Sequence, residues 1–83
     1  MSAHAYIRYA DIPDVLIESS RQRIEGETGA KLISLAGCPL TGQIEVTSGG
    51  RVQVEFSWPR LAELRHALDD WFTEHGIHFT VVM

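Results

Sequence analysis

Histidine is the side chain here with the widest chemistry, and four of them fall among 83 residues. A neutral imidazole ligates metals, and one titrating near neutrality carries protons. His75 and His78 stand three apart, His66 precedes them by about two helical turns, and His4 lies near the start. A zinc centre needs three or four ligands converging at about 2.0–2.3 Å. Gly76 reverses the chain between His75 and His78, and Cys38 is far from both. The histidines therefore read as ordinary groups. His75 suits the carbonyl end of a helix dipole, and His66 forms a four-spaced surface pair with Asp70. Neither a metal nor a cofactor is expected.

Nucleophiles fare no better. Cys38 sits between Gly37 and Pro39, where nothing local would depress a thiol pKa. Ser19, Ser20 and Ser48 lack the glycine-flanked elbow that activates a hydroxyl. Gly49-Gly50 is not followed by the lysine of a phosphate-cradling loop, and the alternating stretches on either side explain these glycines as a hairpin turn. Glu63, Asp69 and Asp70 read as solvated acids. With no catalytic set, an enzyme is the least favoured class.

Charge narrows the partners. The chain carries 7 Lys+Arg against 11 Asp+Glu, a net of -4, and its only close basic pair is Arg21 and Arg23. Proteins that bind nucleic acid draw most of their affinity from neutralising phosphates with a basic stripe, so direct nucleic-acid binding is not expected. Hydrophobic residues make up 45% and charged residues 22%, the balance of a globular domain, and the length allows a single domain over 1–83. One cysteine permits no internal disulfide. No run nears the roughly 20 apolar residues of a membrane helix, and the first residues, Met1 to Ala5, carry no leader signature. A reducing cytoplasm is the expected compartment.

The elements that must position these side chains are legible from their periods. Leu61, Leu64, Leu68, Trp71, Phe72 and His75 recur at helical steps, predicting a helix from about Pro59 to His75, capped by Ser57 and ended by Gly76. Arg51 to Phe56 alternates strictly, as does Gln43 to Thr47. A two-residue Gly-Gly loop would set Val46 against Gln53, whereas a three-residue loop, Ser48-Gly49-Gly50, sets Val46 against Val52 and Ile44 against Val54. A one-residue slip turns every side chain to the wrong face, so the longer loop is predicted, with Gly50 left-handed. Ala3 to Tyr9 and His78 to Met83 also alternate, the latter with Phe79, Val81 and Met83 inward. Residues 13–25 read as a helix carrying Leu16, Ile17, Ser20 and Ile24, with a strand opening at Val15 as the alternative. Lys31 to Ala36 reads as a strand, ended by a turn at Gly37-Cys38-Pro39.

The predicted order is strand, helix, strand, strand, helix, strand. That is the α+β, ferredoxin-like βαββαβ pattern, one antiparallel sheet with both helices on one face. The alternative is a curved β-sheet packed on one C-terminal helix. An RNA-recognition motif shares the first order, but it stacks bases on aromatics of two central strands. Tyr6 supplies one platform, while Phe56 faces inward beside outward Arg51, Gln53 and Glu55, so the second is missing.

The remaining constellation is the sheet's outward face. With the first strand between the Arg51–Phe56 strand and the last one, alternation gathers His4, Tyr6 and Arg8 beside Gln53 and Glu55, flanked by His78 and Thr80. Arg8 and Glu55 are expected to pair across strands. An aromatic, an arginine and ionisable groups on a flat surface resemble a polar protein interface more than a catalytic pocket. Trp58, at the strand-to-helix corner, is a hydrophobic staple or, if exposed, an interface anchor. The candidate binding residues are therefore Tyr6, Arg8, Gln53, Glu55, Trp58 and His78. The expected function is a small protein-binding module of the adaptor, inhibitor or immunity type, with another protein as partner. A ligand-sensing or oligomer-forming domain, using an edge strand to make a homodimer, is the alternative.

Overall fold

The alternating stretches fold as strands of one antiparallel sheet. The computed structural model describes residues 3–83, and the reading of Met1 and Ser2 as free of a leader lies outside the described residues. In chain order the elements are β1 (His4–Arg8), a 3-10 turn (Tyr9–Asp11), α1 (Asp14–Glu18), β2 (Arg21–Ile24), β3 (Lys31–Ser34), β4 (Gly42–Val46), β5 (Val52–Ser57), α2 (Ala62–Glu74) and β6 (Phe79–Val82). The six strands run in the spatial order β2-β3-β4-β5-β1-β6. The result is an α+β fold with one main helix, and the ferredoxin-like order is corrected. A sheet on one C-terminal helix, the alternative reading, is the nearer description.

The correction turns on residues 13–25. The helical spacing holds only through Ile17. Ser19 Oγ then donates to the Val15 carbonyl at 2.9 Å and Ser20 Oγ to the Ile17 carbonyl at 2.6 Å. Helix-end carbonyls satisfied by side chains need no further turn, and serine competes for them readily. The chain leaves as β2, which pairs with β3 at the sheet edge and keeps all four residues exposed.

Where one face is buried, register follows the apolar pattern. Val46 stands opposite Val52 and Ile44 opposite Val54, as the three-residue loop requires, and Gly50 takes φ +79°. In β1, Ala5 and Ile7 face Phe56 and Val54 of β5 and Val81 and Phe79 of β6. These residues, except partly buried Val81 and Phe79, are closed from solvent and meet Leu68, Trp71 and Phe72 of α2. Phe72 packs edge-on against Phe56 at 5.4 Å between ring centroids and lies 4.9 Å from Phe79. Each such burial contributes roughly 1.5–3 kcal/mol.

Three details of the helix and last strand differ from expectation. The helix begins at Ala62 rather than Pro59, because Ser57 is drawn into β5 opposite His4 and the Trp58 amide donates to the Ala3 carbonyl at 2.9 Å. Leu61 and Leu64 are consequently exposed. Met83, read as inward, is 87% exposed. The C-terminal stop is as predicted. Gly76 adopts φ +66°, its amide donates to Thr73, the Ile77 amide donates to Phe72, and Ile77 folds back into the core.

Candidate functional site

Directly paired residues of an antiparallel sheet share a face, so register alone assigns the outward groups. Tyr6 stands between Glu55 of β5 and Thr80 of β6, while Arg8 stands beside Gln53. One strand further, Gln43 faces Glu55 and Glu45 faces Gln53. Strands β5, β1 and β6 thus present a polar surface opposite the one that α2 covers.

Four of the six residues singled out from sequence border one shallow depression of about 740 Å3: Tyr6, Arg8, Gln53 and His78. Arg51, Thr47 and Thr80 add charged and polar groups to its lining, and Ile7, Val52 and Val82 add apolar ones. Glu55 lies beside it through its pairing with Tyr6. Trp58 does not join them. It is half-buried at the opposite end of β5, its ring 5.9 Å from Phe79 and packed against the core, as a staple at the strand-to-helix corner would be.

Arg51 was missed as a candidate, although its alternation with Gln53 and Glu55 already placed it outward. Its amide and carbonyl are held by Thr47: the Thr47 amide donates to the Arg51 carbonyl at 2.8 Å, closing the hairpin beneath the side chain.

The carboxylates of this face are already engaged. Gln53 Nε2 donates to Glu45 Oε1 at 2.6 Å. Glu55 Oε1 lies 3.1 Å from His4 Nδ1, within ionic reach, although that nitrogen has no partner in hydrogen-bond geometry. Glu55 therefore turns to His4, and the expected Arg8–Glu55 pair is not formed because register sets Arg8 against Gln53 instead. The Tyr6 hydroxyl is pushed above its ordinary pKa, first by desolvation and then by the charges of Glu55 and Glu45. Tyr6 is accordingly a neutral donor at physiological pH.

The other chemistry-bearing residues do not gather. Among the described residues no three His, Cys, Asp or Glu side chains stand where they would hold a metal ion. The expected His66–Asp70 pair is absent among the described ion pairs, both residues being exposed and free to stay hydrated. His75 Nδ1 lies 2.8 Å from the Trp71 carbonyl, fixing the imidazole on the last helical turn. Cys38 is partly buried, and that burial raises its thiol pKa, against a smaller lowering by the Leu40 backbone. A thiol held protonated is a poor nucleophile.

No helix of the described chain is long and apolar enough to cross a membrane. Comparison of the chain with protein-family models, curated proteins and solved structures found no match.

Proposed function

We propose that this chain is a small protein-binding module of the adaptor, inhibitor or immunity type, and that it engages another protein through the outward face of β5, β1 and β6. The supporting observation is the convergence of Tyr6, Arg8, Gln53 and His78 on one open depression on strands whose other face is the buried core. Protein interfaces favour tyrosine and arginine, whose large or forked side chains give contact area and directed hydrogen bonds at low entropic cost. Apolar Ile7, Val52 and Val82 line the depression together with its arginines and hydroxyls, the mixture of apolar and polar groups that protein interfaces carry. A reducing cytoplasm, suited to a chain with one protonated thiol, belongs to the same proposal.

Affinity capture from the native host tests it. The wild-type chain retains a protein partner, and Tyr6→Ala with Arg8→Ala loses it while circular dichroism and the melting temperature stay close to wild type. Retention by that double variant contradicts the reading.

One observation favours a second reading, a homodimer with a continuous sheet. β6 is an edge strand whose residues, Phe79 to Val82, carry no charge, and Val82 is 51% exposed. Natural edges are usually guarded by charge, as β2 is by Arg21 and Arg23. Light scattering reports a dimer under this reading and Thr80→Lys with Val82→Lys dissolves it; a wild-type monomer contradicts it.

A further inference from the structure

We propose that the depression on the outward face takes a carboxylate-bearing segment of the partner protein, held by Arg8 and Arg51. The inference rests on the reading of this face as a protein-binding surface and names the chemistry it selects.

The whole chain has a net charge of -4, yet the depression is bordered by two arginines and no Asp or Glu. Both arginines are exposed, and neither has an ion-pair partner among the described residues. The two nearby carboxylates stand outside its lining, Glu45 accepting from Gln53 and Glu55 lying 3.1 Å from His4. The two arginines are therefore the charged groups that line the depression itself, each without an ion-pair partner among the described residues. Thr80 adds a hydroxyl donor to the lining, and a carboxylate accepts from both kinds of donor.

An arginine fork matches a carboxylate through two parallel N–H···O bonds, which makes the contact directional as well as attractive. Phosphate chemistry would satisfy the same forks, but two arginines in a chain of net charge -4 offer little phosphate neutralisation along a polynucleotide. Tyr6 and His78 are the rings in its lining, too few to stack a run of successive bases. A protein segment bearing Asp or Glu is the occupant the charges favour.

The test is a titration of the isotope-labelled full chain with a blocked hexaglutamate peptide, followed by backbone amide shifts. Hexalysine, inorganic phosphate and a single-stranded hexanucleotide are titrated alongside. Hexaglutamate is expected to move the amides of Arg8, Arg51, Gln53 and Thr80 saturably, with affinity falling as salt rises. Arg8→Gln with Arg51→Gln weakens it by about tenfold, and Arg8→Lys with Arg51→Lys recovers part of the loss. Both arginines are exposed, so these variants keep the fold.

No saturable shift with hexaglutamate, or shifts centred on Arg60 and Arg65, overturns the proposal. So does tighter binding of the hexanucleotide, or phosphate saturating the same amides as tightly as the peptide. Failure here with capture still lost on Tyr6→Ala with Arg8→Ala rejects the acidic occupant alone. Capture unaffected by that pair rejects the binding face itself.

Discussion

Tyr6 shows how far a single residue's environment follows from its neighbours in register. Alternation along β1 turns it outward, and desolvation there, followed by the charges of Glu55 and Glu45, raises its phenol pKa. The raised pKa means the folded chain holds this proton where the unfolded chain has released it. Its contribution to stability is therefore complete below the unfolded value, the ordinary 10.0, and is lost as pH climbs through the higher folded value. In a Tyr9→Phe background, Glu55→Gln is expected to lower the ionisation midpoint of Tyr6, read from phenolate absorbance. A midpoint that does not move would show that Glu55 has no hold on the hydroxyl. The outward direction of Tyr6, Arg8, Gln53 and Glu55 was legible in the sequence because period two leaves no choice once one face is apolar. Their partners were not. Whether Glu55 meets Arg8 or His4 depends on a register between strands about 50 residues apart, and nothing local in either strand encodes it.

At the scale of elements, legibility tracked burial. The β4–β5 hairpin was readable down to its register because Ile44, Val46, Val52 and Val54 all occupy one face. The stop of α2 was readable because Gly76 and Ile77 complete a backbone motif with its own residue preferences. β2 was unreadable for the opposite reason. Its four residues are all exposed, so no alternation marks it, and Ile24 merely continued the spacing of the helix before it. The close approach of β4 to its neighbour carries a prediction. A Cβ at Gly42 would meet Val54 Cγ1 and lie 2.9 Å from Phe56 Cε1 and Cζ, both side chains being fixed in the core. Gly42→Ala is expected to cost about 1–3 kcal/mol in urea unfolding, as overpacking of a closed core does. A neutral substitution would mean that the β4–β5 layer yields more easily than its burial implies.

For the whole molecule, one helix is narrow beside six strands. At about 4.8 Å between strands the sheet is roughly 24 Å across, and a helix with its side chains spans about 10–12 Å. α2 covers the β5, β1 and β6 side, and Ile12 and Leu16 of the crossover from β1 to β2 are buried in the same cluster. Residues 21–29 remain exposed throughout, while Ile24, Val46 and Val52 of the helix-side face are also open to solvent. Stability should be uneven in the same pattern. In native-state hydrogen exchange, amides of β1, β5 and α2 are expected to be the slowest and those of 21–29 among the fastest, and uniform protection across the sheet would contradict this division. The polar face of the proposal lies on the slow side, on strands held by the core. The most direct test of its role is to map the backbone amide shifts of the labelled chain when the captured partner is added. The account predicts changes concentrated on Tyr6, Arg8, Arg51, Gln53, His78 and Thr80. Changes confined to the outer face of α2, around His66, Asp69 and Asp70, or to the arm at 21–29, would contradict it.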